Sequence, residues 1–274
     1  MLPELFHIGP LPIRGYGLML ALAFLGGILY VKKIIERDGK PFEPFLTMSY
    51  IIIFGGIIGG RLLYVLLHLS DFKNNWSASF NPFASSQFGI SGLTLYGGIV
   101  LAVVGVWLYC TIRKLSILEV FDYFAAPLGL GIGFGRIGCW LNGCCFGTPT
   151  DLPWGVSFSP GSIPFSVFGD LHLHPAQLYS SLYGFGLFVL LHFLHKHKQF
   201  HGQVIGLLFM LEALFRFAIE AVRYYESAMY FDLGPIHATY NHLVSVGLFA
   251  LGLSIYLWQW TASRKKIKAK TESL

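Results

Sequence analysis

Residues 135 to 147 read GRIGCWLNGCCFG, placing a permanent cation, Arg136, beside an amide, Asn142, and three thiols, Cys139, Cys144 and Cys145. A guanidinium donates two parallel hydrogen bonds and suits a phosphate oxyanion. The thiols admit several chemistries. A Cys139–Cys144 or Cys139–Cys145 bridge is open, because spacing alone does not fix a pairing. Zinc wants four ligands, and this spacing matches no standard pair of ligand hooks, although His172 and His174 could complete such a site after folding. The plainest alternative is a set of small, buried, inert side chains, the reading given to Cys110 as well.

A second group lies in FRFAIEAVR, residues 215 to 223. Arg216 and Glu220 are four apart and share a helical face, and the spacing puts Arg223 one turn further along it. One ion pair uses two of these charges and leaves a surplus cation, which again suits phosphate. Two tyrosines complete the set: Tyr16 in RGYGLM, and Tyr96 before Gly97 and Gly98 in LTLYGG. A tyrosine at a membrane interface is more often part of the aromatic belt than a catalyst. GFGRIG, residues 133 to 138, matches a dinucleotide-binding pattern by its letters, but an apolar helix precedes it where that fold needs a strand.

The elements that position these residues follow from composition. The 274 residues are 54% hydrophobic and only 12% charged, with 32 glycines and 25 phenylalanines, and mean hydropathy is +0.61. Soluble domains carry about 25% charged residues. Apolar segments near 16–31, 47–69, 95–112, 117–138, 176–194, 203–222 and 242–260 are each of membrane-crossing length or close to it. The fold class expected is therefore all-α and polytopic: seven transmembrane helices in a single domain, 1–274, with folded outer segments at about 70–94 and 139–175. The N-terminus has no basic n-region or cleavage site, so no removed leader is expected.

Thirteen of the 19 Lys and Arg residues fall in loops that seven spans place on one side. By the positive-inside rule that side is cytoplasmic, with the N-terminus outside and the C-terminus inside. The net charge of +5 is thus topological, and no nucleic-acid partner is expected. Arg14, Arg61, Arg136, Arg216 and Arg223 lie off that side, within the membrane or towards its outer face. An ionisable group at depth is costly, which makes each a functional candidate. Asp122 reads as structural and near the cytoplasmic side. Glycines 129, 131, 133, 135 and 138 are expected to loosen or break the end of the fourth span around a cavity walled by Arg136. Two overlapping G-x-x-x-G patterns, at Gly55–Gly59 and Gly56–Gly60, are expected to let the second span approach a neighbour.

With these residues assembled, the chain resembles the bacterial prolipoprotein diacylglyceryl transferase family. The resemblance rests on the Tyr-Gly-Leu-Met of span one, GGRLLYV (59–65), APLGLGIGFGRIGCWLNGCCFG (126–147), PWGVSF (153–158), HPAQLY (174–179) and the Arg-x-x-x-Glu of span six. It implies an inner-membrane enzyme that moves the diacylglyceryl group of phosphatidylglycerol onto the lipobox cysteine thiol of a prolipoprotein. Glycerol phosphate is released, and no metal or cofactor takes part. By the same resemblance Arg136 holds the lipid headgroup, with Asn142, Gly98, Gly147 and Arg223 in the substrate site. Arg216 stabilises the transition state, oriented by Glu220, and Tyr16 lines the reaction centre. Tyr96 stands where the family has a histidine, Cys144 where some members have an acid, and Ser180 where a glutamate is frequent. The proton acceptor therefore stays open. So do two rival readings: a lipid-binding member with lost or changed activity, and an outer-face thiol or metal protein. A transporter fits less well, because the cytoplasmic halves are too apolar for a continuous polar path.

Overall fold

The computed structural model describes residues 4–9, 11–72, 92–226, 229–233 and 236–272. The expected outer segment at 70–94 falls largely outside the described residues. Helices dominate. A small hairpin, β1 (Glu4–Ile8) and β2 (Leu11–Arg14), leads into α1 (Gly15–Arg37), α2 (Glu43–Leu67) and the short α3 (Leu69–Phe72). Then come α4 (Leu95–Ile112), α5 (Ile117–Asn142), the short α6 (Ile163–Phe168), α7 (Ala176–Lys196) and α8 (Gln203–Ile219). A second hairpin, β3 (Tyr230–Leu233) and β4 (Ile236–Thr239), pairs antiparallel with Tyr230 opposite Thr239 and feeds α9 (Tyr240–Glu272).

Among the described residues, six helices are long and apolar enough to cross a membrane: α1, α2, α4, α5, α7 and α9. The sixth expected span is α8, whose 17 residues reach about 25 Å at 1.5 Å per residue. Only 11 to 39% of the residues in the apolar windows are buried within the protein. The outward residues are themselves large and apolar, among them Leu182, Ile112 and Trp258. A surface of that kind needs hydrocarbon as its solvent, so the chain is a polytopic membrane protein.

Two compact units make up the chain. The larger holds residues 1–5, 13–27 and 118–274, and the smaller holds 6–12 and 28–117. In the smaller unit α2 and α4 cross backbone to backbone. A Cβ on Gly59 or Gly97 would strike the other's carbonyl oxygen, and one on Gly98 would lie 2.7 Å from Gly56 O. Thr94 ties the start of α4 to α2, its amide and hydroxyl both donating to Gly60 O at 3.0 Å. The G-x-x-x-G expectation is met. Cys110 is fully buried there, its thiol 3.9 Å from Met48 Sδ, as befits an inert core cysteine. Arg61 is buried too, donating to Gly92 O at 3.3 Å, with Tyr64 and Phe72 rings near its guanidinium.

In the larger unit the glycine run of α5 does not break the helix, contrary to expectation. The helix continues to Asn142 with Pro127 inside it. The glycines make room for neighbours instead. A Cβ on Gly129 would lie 2.7 Å from Phe188 N, and one on Gly133 would lie 2.7 Å from the Phe185 ring. One on Gly184 of α7 would stand 2.5 Å from Gly133 N. Ser181 of α7 donates to Gly133 O at 2.9 Å, so close approach also satisfies a buried hydroxyl. Near the other end of α5, Asp122 accepts the amides of Gly202 (2.9 Å), Val204 and Ile205 (both 3.0 Å), with Lys198 Nζ at 3.5 Å. It caps the otherwise unsatisfied start of α8, which is the structural role expected of it.

Candidate functional site

The end of α5 builds the site. Asn142 is its last residue, and Gly143 follows at φ 74°. Gly143 N donates to Trp140 O and Cys144 N to Cys139 O, the paired bonds of a Schellman motif with glycine in the left-handed position. This turn folds the chain back over the helix end. Cys145 is also left-handed, at φ 62°, a conformation uncommon outside glycine, asparagine and aspartate. With that geometry the Sγ atoms of Cys139, Cys144 and Cys145 all lie within 4.8 Å of one another. All three are free thiols. His172 and His174 stand outside this group: His172 Nδ1 is 3.2 Å from Gly155 O and His174 Nδ1 is 3.4 Å from the Tyr179 hydroxyl.

Four neighbours fix the thiol loop. Gln177 Nε2, on the first turn of α7, donates to Cys144 O at 2.9 Å. Gly147 N donates to His174 O, Thr148 N to Val222 O, and Tyr224 N to Phe146 O. Gly147 tolerates no side chain, since a Cβ would meet His174 O at 2.5 Å and Val222 O at 2.6 Å. Behind the loop Phe146, Phe158 and Leu173 form a small apolar core against Trp140, Phe168 and Tyr224. Residues of the 139–175 stretch thus pack into a small core of their own.

Arg136 sits one helical turn before Cys139, on the same face. Arg216 occupies the last turn of α8, where Glu220 is the C-cap residue. Arg216 Nε is 3.4 Å from Glu220 Oε1, its Nη2 donates to the Tyr225 hydroxyl at 3.0 Å, and that hydroxyl donates to Glu220 Oε1 at 2.6 Å. The other carboxylate oxygen accepts from Thr239 Oγ1 at 2.7 Å and Asn241 Nδ2 at 3.5 Å. Both oxygens of this buried carboxylate are therefore engaged, as a buried charge requires. Burial pushes the Tyr225 hydroxyl above its ordinary range, the bond to Glu220 reinforces this, and Arg223 opposes it.

Arg223 departs from expectation. The helix ends at Ile219, so Arg223 is not one turn further along its face. It forms a bridge with Gly147, and its guanidinium lies 4.7 Å from the Tyr225 ring centroid with Nε buried and lacking a hydrogen bond. The bridge brings the third arginine to the thiol loop. Hydrogen bonds from Cys139 and Cys144 push the Cys145 thiol far below its ordinary range, and Arg223 and Arg136 add to that against the effect of burial. The charges of Arg136, Arg216 and Arg223 act on a common neighbourhood, and Glu212, one turn before Arg216, lies in the field of Arg136 and Arg216.

Tyr16, at the start of α1, is 44% exposed, with its ring over Gly138 of α5. Asn142 is exposed at the helix end. Tyr96 and Gly98 belong to the smaller unit, at the start of α4, with Tyr96 exposed and Gly98 on the α2 seam. Ser180 is buried and donates back to Ala176 O. The sequence reading missed Tyr225, Thr239, Asn241 and Glu212. An acid inside an apolar span is itself a signal, and Glu212 could have been found by it. Thr239 and Asn241 carry none, because they reach Glu220 only through the return of the chain in β3, β4 and α9, and Tyr225 lies beyond the end of α8, where helical spacing no longer applies.

Comparison with known proteins identifies the family. The family model for prolipoprotein diacylglyceryl transferase matches residues 3–258. A phosphatidylglycerol–prolipoprotein diacylglyceryl transferase of Clostridium tetani is 34% identical over 81% of this chain and 86% of its own length. One from Campylobacter hominis is 33% identical over 93% and 90%, and one from Nitratidesulfovibrio vulgaris 33% identical over 93% and 92%. The cation and thiol cluster at the end of α5 lies within the matched region, and the chain belongs to the prolipoprotein diacylglyceryl transferase family.

Proposed function

We infer that this chain transfers the diacylglyceryl group of phosphatidylglycerol to the lipobox cysteine thiol of prolipoproteins and releases glycerol phosphate. The observation that carries the reading is the gathering of Arg136, Arg216 and Arg223 about one helix end in a chain of this family. Arg136 takes the phosphodiester, with Asn142 and Gly147 shaping the place where the headgroup lies. The bond that breaks joins a glycerol carbon to a phosphate oxygen, and the sulfur takes that carbon. Negative charge grows on the departing phosphate, and Arg216 meets it. Glu220 and Tyr225 hold Arg216 in one orientation, so it need not reorganise as the charge develops. Tyr16 lines the same region. Tyr96 and Gly98 enter the proposal through the family resemblance alone.

Seven spans, counting α8, put thirteen of the 19 Lys and Arg residues on the cytoplasmic side of a bacterial inner membrane, with the N-terminus and the α5 end outside. On this reading the lipobox thiol meets the site at that outer face.

The deciding measurement is mass spectrometry of a lipobox peptide incubated with the purified protein and phosphatidylglycerol. A diacylglyceryl increment on the cysteine is expected. Folded, lipid-binding protein that gives no increment would instead favour a member with changed activity. Arg136→Ala should lower the rate by ~100-fold or more while leaving the protein folded, the loss typical of a removed oxyanion donor. A wild-type rate in that variant would falsify the headgroup assignment.

A further inference from the structure

The three thiols at the end of α5 are unexplained by the transfer as drawn. Their Sγ atoms converge within 4.8 Å without forming a disulfide. Zinc–sulfur bonds of about 2.3 Å in a tetrahedral site set the sulfurs about 3.8 Å apart, so a shift of about 1 Å or less would close the three around one ion. The chain spends two left-handed residues, Gly143 and Cys145, to bring the thiols together. The second is a cysteine where glycine would be relaxed, and such strain persists where surrounding structure enforces it. Enforcement is present: Gln177 holds the Cys144 carbonyl and Gly147 is pinned between His174 and Val222.

The count of ligands is informative. Structural zinc sites are closed by four protein ligands, whereas catalytic sites keep three and leave the fourth position for water or substrate. Among the described residues the group contains the three thiols and nothing else. Three thiolates and a divalent ion carry one net negative charge, and Arg136 and Arg223 lie close enough to act on Cys145. The substrate of the proposed reaction is itself a thiol, which must shed its proton before it attacks carbon. A metal ion deprotonates a coordinated thiol outright.

We propose that Cys139, Cys144 and Cys145 bind a zinc ion whose open fourth position takes the lipobox thiol as a thiolate. The proposal rests on the transferase reading and deepens it. Zinc binding releases the thiol proton to solvent. The bound sulfur then forms the bond to the glycerol carbon, and the carbon–oxygen bond breaks with its electron pair leaving on glycerol phosphate. That phosphate takes up a proton according to pH. The neutral thioether is a weak ligand and leaves, and no electron transfer is involved. Tyr96 is then not required to act as a base.

The test uses the full-length protein in detergent, purified without chelator. Elemental analysis should find about one zinc per chain, lost in Cys145→Ser and in Cys139→Ser. Because a serine variant can misfold, the second measurement uses the native chain with cobalt in place of zinc. Its visible spectrum should show a tetrahedral thiolate site that changes when a lipobox peptide is added, and stays unchanged with the Cys→Ser peptide. Absence of stoichiometric metal overturns the proposal, as does a cobalt spectrum indifferent to the peptide thiol. Thiol titration that finds two of the three oxidised in active protein also overturns it. Full transfer activity in chelated, metal-free protein overturns the zinc step while leaving the transferase reading intact. A cobalt spectrum that responds to the peptide, in protein that never forms a thioether, supports the metal site and rejects the transferase reading.

Discussion

Glu220 receives more hydrogen bonds than any role as a simple ion-pair partner demands. It faces Arg216, Tyr225, Thr239 and Asn241 at once. Tyr225 is the joint of this set, donating to the carboxylate while accepting from the guanidinium. It stays protonated at neutral pH, because burial and Glu220 raise it above the ordinary phenol range. Tyr225→Phe removes both bonds and keeps the ring that Arg223 covers. We expect kcat to fall about tenfold, corresponding to about 1.4 kcal/mol of transition-state stabilisation, with KM for the lipid little changed. An unchanged kcat would show that Arg216 needs no such orientation. The Arg216–Glu220 pair was legible from its i,i+4 spacing. Tyr225 and Thr239 were not, since Tyr225 lies past the end of α8 and no local periodicity links residue 220 to residue 239.

At the scale of elements, the glycines of α5 and α7 show why letters alone mislead. Five glycines in ten residues look like a helix that cannot hold, yet in a membrane a helix is the backbone's only local way to satisfy its own hydrogen bonds. Glycine there trades propensity for close approach. The two helices supply an internal control. Gly184 has Gly133 backbone in the place its Cβ would occupy, while Gly186, half a turn away, has nothing within 4 Å. Gly184→Ala should destabilise the protein by about 1–3 kcal/mol through overpacking, and Gly186→Ala should be neutral or slightly stabilising. Thermal unfolding in detergent compares them directly. Equal melting temperatures would mean that α5 and α7 do not meet at this seam.

For the whole molecule, the charge asymmetry makes a prediction independent of the chemistry. The proposed seven-span topology puts the C-terminal end of α9 in the cytoplasm, so a C-terminal fluorescent protein should mature there and a C-terminal alkaline phosphatase should stay inactive. The opposite pair of results would overturn the proposed orientation. The 17 residues of α8 sit at the short end of what spans a bilayer, which makes this helix the one on which the orientation turns.

The sequence by itself determined the solvent, the helices and the family. Each of these is written in local composition: apolar runs set by bilayer thickness, and motifs such as GRIGCWLNG. It could not say whether the glycine run of α5 bends or packs, because that depends on what lies opposite each missing side chain. It put Arg223 on a helix face, where the helix in fact ends at Ile219 and the chain turns to pair Arg223 with Gly147. It left the three cysteines open among bridge, metal and inert core. Only the tertiary structure decided that their thiols converge unbonded. The reason is geometric: a left-handed turn at Gly143 and another at Cys145 reverse the chain, and backbone partners from two distant segments hold it there.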